Sequence, residues 1–176
     1  MKTYNQNDFK LMPWKNGGGM TLELFKIPAF PDNEIDLRIS IAKVEQSGPF
    51  SIFNGINRHL FLLSGKGFKL TFSDKVLFLK SPIDHITFQG EEKIDCELID
   101  GPCEDFNVMI NRNWGEAAIK IESIKKDGSF DFFNSGLNFI FNCQTKELTQ
   151  LQDESFNQIV SEDTHFIIIT IIKRPV

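Results

Sequence analysis

The chain is poor in the residues that build ready-made chemistry. Among 176 residues there are only three cysteines and three histidines. Cys96, Cys103 and Cys143 are odd in number and show no C-x-x-C spacing, which argues against a disulfide scaffold and for a reducing compartment. His59, His85 and His165 are isolated. Neither His-x-His nor H-E-x-x-H occurs, so no metal site is expected, and no other cofactor either. The chain has no P-loop, no G-x-G-x-x-G and no G-x-S-x-G nucleophile elbow. Positive charge is in deficit: 19 Lys and Arg stand against 24 Asp and Glu, a net charge of −5. A general nucleic-acid binder needs a basic footprint, so no direct nucleic-acid partner is expected. The first residues, Met1-Lys2-Thr3-Tyr4-Asn5-Gln6, include no apolar stretch like a signal peptide. The longest apolar run, Phe166–Ile172 with Thr170 inside, is far shorter than the roughly 20 residues of a membrane helix. The expectation is a soluble cytoplasmic protein with no membrane partner.

What is abundant is phenylalanine, with 18 residues against one Tyr and two Trp. Phe carries no polar handle, so most of these rings belong in core. The first thirty-five residues, with Pro13, Gly17, Gly18, Gly19, Pro28 and Pro31, read as irregular. From Ile35 to Ala42 the odd positions are apolar and the even ones mostly polar, the period of a strand with unlike faces. Short apolar segments follow at His59–Ser64, Phe68–Phe72, Val76–Leu79, Ile86–Phe88, Ile94–Ile99 and Phe106–Ile110, with turn residues such as Asn54-Gly55 between them. Residues 113–126 fit helix or strand. The β pattern resumes through Phe130–Phe133, Leu137–Cys143, Glu147–Leu151, Phe156–Val160 and Phe166–Ile172. Turns every eight to twelve residues predict an all-β fold of sandwich or barrel type. Residues 1–112 and 113–176 read as two β modules that pack together.

Four polar clusters interrupt this apolar pattern. The first is Pro13-Trp14-Lys15-Asn16-Gly17-Gly18-Gly19-Met20-Thr21-Leu22-Glu23, where glycines allow close approach of backbone to a ligand. The second is Arg38 with Ser40 on the even face of a strand. Were that face a barrel lumen, the Arg would need an anion or a carboxylate. The third runs from Gly48 to Arg58 and includes Phe50. The fourth is Asp105-Phe106-Asn107-Val108-Met109-Ile110-Asn111-Arg112, in which Asn107 and Met109 share one face. A surface loop, a wet edge strand and a structural ion pair are the plain alternatives for these clusters.

In this order the four clusters resemble the HutD/Ves family of cupin-like proteins. Trp14 to Gly19 with Thr21 and Glu23 is similar to its N-terminal signature. Arg38 to Ala42, Gly48-Pro49-Phe50-Ser51, Gly55 and Arg58 are similar to its central block, and Asp105 to Met109 with Arg112 to its last. The resemblance covers residues 13–112. It implies a bicupin, two small jelly-roll-like β-barrels from one chain. It further implies a bacterial protein tied to histidine utilisation or to a stress response, without an established enzyme activity. The ligand class it suggests is a small acid of histidine breakdown, such as formylglutamate or urocanate. The paired histidines and glutamate of the usual cupin metal motif are absent.

The residues and the resemblance together suggest a small-molecule or regulatory protein with a pocket in the first barrel and a small organic acid as partner. Trp14 and Phe50 would wall it. Arg58 and Arg112 would grip a carboxylate, because a guanidinium fork matches it bidentately. Asn16, Ser40 and Asn107 would orient the ligand, and Glu23 or Asp105 would steady an Arg, with Arg38 among the lining residues. Two other functions fit the same residues. One is an enzyme on a small carboxylated or amide metabolite with Glu23 or Asp105 as general base. The other is a structural module that dimerises, for which Phe166–Ile172 is the candidate run.

Overall fold

A computed structural model describes residues 1–14, 17–29 and 35–175, and every regular element among them is a β-strand. The chain forms two compact units: Lys10–Trp114, and Met1–Phe9 together with Gly115–Val176. The first nine residues thus belong with the C-terminal half. The reason is a strand, β1 (Lys2–Tyr4), that pairs antiparallel with β15 (Leu148–Gln152).

In the N-terminal unit the strands are β2 (Lys10–Pro13), β3 (Gly19–Pro28), β4 (Ile35–Val44), β5 (Gly48–Pro49), β6 (Ile56–Ser64), β7 (Phe68–Thr71), β8 (Val76–Leu79), β9 (His85–Gln89), β10 (Asp95–Leu98) and β11 (Cys103–Asn111). One sheet runs β2-β3-β4-β11-β6-β9 and the other β5-β10-β7-β8. An apolar core that includes Leu60, Leu62, Phe68, Leu70, Phe88 and Cys96 fills the space between them. Strands alternate side chains between faces, so β4 splits cleanly. Leu37, Ile39 and Ile41 point one way, and Arg38, Ser40 and Ala42 the other. The register carries the polar face across three strands. On β11, Asp105, Asn107 and Met109 stand opposite Ala42, Ser40 and Arg38 of β4. Asn107 and Met109 stand opposite Leu60 and Arg58 of β6 on the other side.

The residues expected to be irregular, 1–35, contain β1, β2 and the ten-residue β3. The β3–β4 register skips Leu24, a bulge that breaks the two-residue period and hides the strand in the sequence. Phe50–Phe53 form no strand. Their backbone is tied instead by Phe50 N–H to Ile94 O at 2.9 Å and Phe53 N–H to Gly90 O at 2.8 Å.

In the C-terminal unit β1 and β15 join β14 (Leu137–Asn142), β17 (Thr164–Lys173) and β12 (Gly115–Ile124) in the order β1-β15-β14-β17-β12. The ambiguous segment 113–126 is therefore strand from Gly115 to Ile124. Beside that sheet lies a ribbon of β13 (Ser129–Phe133) and β16 (Ser155–Ile159). Phe130, Ile140, Leu151, Val160, Phe166 and Ile168 form the core of this unit. The run Phe166–Ile172 lies on β17, paired with β12 along its length and with β14 from Phe166 to Thr170. The three cysteines are free. No described helix is long and apolar enough to cross a membrane.

Candidate functional site

The polar face of β4 and β11 opens into a cavity of about 520 Å³ in the N-terminal unit. Trp14, Arg38, Ser40, Phe50, Arg58, Asp105 and Asn107 line it, together with Met12, Pro13, Thr21, Ala42, Pro49, Ser51, Phe53 and Met109. This size and mix, an apolar body with a few convergent polar groups, is that of a small-molecule site.

Arg58 is the centre of the arrangement. It is only 7 % exposed. Its guanidinium carbon lies 5.3 Å from the centre of the Phe50 ring, 5.6 Å from Phe53 and 5.0 Å from Phe88. Three aromatic faces favour a cation there electrostatically but accept none of its hydrogen bonds. One Nη2–H donates to Asn107 Oδ1 at 2.9 Å. Among the described residues the buried Nε–H has no acceptor. Asn107 is thereby fixed in orientation, and its Nδ2 donates to Asp105 Oδ1. Asn107 thus relays between a guanidinium and a carboxyl.

Burial dominates the titration of both ends. It pushes Asp105, 2 % exposed, up to about 7, against the pull of Arg58 and of the Asn107 hydrogen bond. Burial brings Arg58 down to about 10, with Asp105 opposing the shift and Arg38 adding to it. Both effects follow from the cost of placing charge in a poorly solvated site. Arg58 remains a cation at neutral pH.

Arg38, half-buried, is the second cation of the cavity. Its Nε lies 3.1 Å from Glu23 Oε2 of β3 as an ion pair. Burial lowers the Arg38 pKa while Glu23 raises it. Glu23 thus acts on the site through Arg38. Trp14 forms one wall, held by its Nε1–H to Thr21 Oγ1 at 2.8 Å. Its seat depends on Gly19, where an added Cβ would lie 2.3 Å from Lys43 O and 3.3 Å from the Trp14 ring.

Of the other expected site residues, Glu23 is not among those lining the cavity. Asn16 lies outside the described residues. Arg112 is not in the cavity. It follows the end of β11, 28 % exposed, and donates to Glu91 through both Nη atoms, to Ile56 O and to Asn57 Oδ1, each at 3.3 Å for the last two. It ties the turn before β6 to the end of β11. The convergent cations are therefore Arg38 and Arg58 rather than Arg58 and Arg112. Phe53 and Phe88 were not singled out from the sequence. Phe53 falls within the third polar cluster, whereas Phe88 faces Arg58 only through the β6–β9 register. Among the described residues no group of three His, Cys, Asp or Glu side chains is placed to hold a metal ion.

Comparison with known proteins gives a consistent picture. The family model described as HutD matches residues 6–170. An uncharacterised 21.2 kDa protein in the hutC 3′ region of Pseudomonas putida is 37 % identical over 102 residues, 58 % of this chain and 54 % of that protein. The chain thus spans about half the length of that relative. Protein Ves of Escherichia fergusonii is 30 % identical over 138 residues, 76 % of this chain and 70 % of that one. Among solved structures, HutD from Pseudomonas fluorescens SBW25 (formate condition) superposes with a TM-score of 0.81 at 26 % identity, covering 99 % of each chain. Vicilin from Capsicum annuum, of cupin type, reaches 0.65 at 7 % identity over 98 % of this chain and 86 % of its own, a likeness of fold alone.

Proposed function

The chain belongs to the HutD family, and from that premise we propose that its N-terminal unit binds a small organic acid, gripping the carboxylate through Arg58. The single observation that carries this reading is the place of Arg58, a buried guanidinium that lines the cavity and, among the described residues, forms no ion pair with a carboxylate. A buried guanidinium that lines a cavity without a paired carboxylate is costly unless something supplies an acceptor. A carboxylate supplies one and offsets the charge. Arg38 offers a second cation on the same face, and Trp14, Phe50 and Phe53 give the apolar walls a small metabolite needs. The histidine-utilisation setting of the family makes a breakdown product of histidine the first choice of ligand, in a sequestering or sensing role.

Isothermal titration with formate, acetate, urocanate and N-formylglutamate tests this. Saturable binding of at least one, lost in Arg58→Met, is the expected result. No binding of any of them to the folded protein would contradict it.

One observation favours a second reading. Asp105 is a buried carboxyl that burial pushes up to about 7, the range of a general base at neutral pH. Following urocanate and N-formylglutamate by proton NMR in the presence of the protein distinguishes a catalyst from a binder: turnover abolished by Asp105→Asn would make it an enzyme.

A further inference from the structure

Resting on the carboxylate reading above, the geometry points to a site that takes up its anion together with a proton, with Asp105 as the group that holds the proton. The argument begins with which charges share the cavity face. Asp105 lies on β11. From β6 it faces Arg58, through Asn107. From β4 it faces Arg38, already paired with Glu23 of β3. From β10 comes Cys96, whose thiol burial keeps neutral by pushing it up to about 12. On its own strand Glu104 adds a like charge. The neighbouring β5 contributes only Gly48 and Pro49.

Among the described residues, with Asp105 ionised, two guanidinium groups balance two carboxylates. A further anion then leaves the cavity with a net negative charge. With Asp105 protonated, the cavity carries one uncompensated cation, and an added carboxylate neutralises it. Low-dielectric surroundings make this difference large. The position of Asn107 sharpens it. Asn107 Oδ1 accepts from Arg58 and its Nδ2 donates to Asp105 Oδ1. Among the described residues, no ion pair joins Asp105 directly to Arg58. The Arg58 charge therefore remains available to a ligand, and the neutral acid keeps its hydrogen bond to Asn107. By linkage, an anion bound beside Asp105 must raise the proton affinity of that carboxyl, and protonation must tighten the anion to the same degree.

The expected pH profile follows. Affinity for a permanently ionised carboxylate is highest and flat in mild acid. It falls about tenfold per pH unit once the free-state carboxyl ionises, near 7. It levels off again where the bound-state carboxyl ionises. The experiment is titration calorimetry of the intact chain with N-formylglutamate and with acetate between about pH 6 and 9, each in two buffers of different ionisation enthalpy. Close to one proton taken up per anion in the falling region, and none in Asp105→Asn, which keeps an acceptor for Asn107, is the result expected. The wild-type buffer comparison needs no variant. Binding that is flat with pH and takes up no proton overturns the inference while leaving the carboxylate reading intact. Proton uptake that persists in a folded Asp105→Asn protein overturns the assignment to Asp105. No binding at any pH overturns both readings.

Discussion

Arg58 donates from Nη2 to Asn107 at 2.9 Å and, among the described residues, finds no acceptor for its Nε–H inside a box of three phenylalanine rings. A cation so placed has been taken out of water without full compensation. That state is tolerable when a bound anion completes it, and it explains why the same strand pair carries both the charge and the amide that orients it.

Replacing Arg58 by Met removes the charge and keeps a side chain that packs against Phe50, Phe53 and Phe88. Affinity for a carboxylate is expected to fall by about ten- to a hundredfold, the scale of a charge-assisted hydrogen bond. Thermal stability should change little, because the desolvation cost shed with the buried charge is set against the donor that Asn107 Oδ1 loses. Arg58→Lys should recover little binding, since the ammonium lacks the planar fork. Calorimetry with thermal denaturation checks both parts.

Arg112 separates stability from binding. Arg112→Ala frees Glu91 and the turn carbonyl at Ile56, so the thermal midpoint should drop. Affinity for the same carboxylates should stay within about twofold, as expected of a site with no shared partner. A large affinity loss in a folded Arg112→Ala protein would return this residue to the pocket.

Two buried groups shape the dependence of stability on pH, with opposite signs. The folded-state pKa of Asp105 is raised to about 7, so its contribution is full in acid and is lost as pH rises from about 4 through 7. His59, largely buried on β6, is lowered to about 4 by desolvation and by His85. Its contribution is present above about 6.5 and is lost as pH falls toward 4. The two oppose each other across that window. Denaturant titrations should therefore show a flat wild-type profile between about pH 4 and 6.5. Asp105→Asn should lose stability on acidification, and His59→Gln should gain it. Parallel profiles for all three proteins would contradict this.

Gly19→Ala tests the wall. The added Cβ meets the Lys43 carbonyl and crowds the Trp14 ring, so a loss of about 1–3 kcal/mol in stability is expected. Trp14 fluorescence should change with it, and carboxylate affinity should weaken. An unchanged spectrum and affinity would show that the Trp14 wall does not depend on this close approach.

Much of this was legible in the residues alone. The two-residue period of Ile35–Ala42 put Arg38 and Ser40 on one face, and that of 105–110 put Asn107 with Met109, as the sheet has them. The same parity sets Arg112 apart from 105, 107 and 109, a signal that was available. What the sequence hid is long-range register. Nothing local says that Phe88 faces Arg58 or that Arg38 meets Glu23, because those encounters depend on strand order β3-β4-β11-β6-β9. The bulge at Leu24 concealed β3 by shifting its alternation midway.

The most direct measurement is a proton–nitrogen NMR titration that watches the arginine Nε–H signals while acetate and N-formylglutamate are added. The Arg58 signal should shift and saturate as the guanidinium receives the carboxylate, with the Arg112 signal unmoved. An Arg58 signal that stays in place while other residues report saturation, or no saturable change anywhere, would contradict the claim that this guanidinium receives the anion.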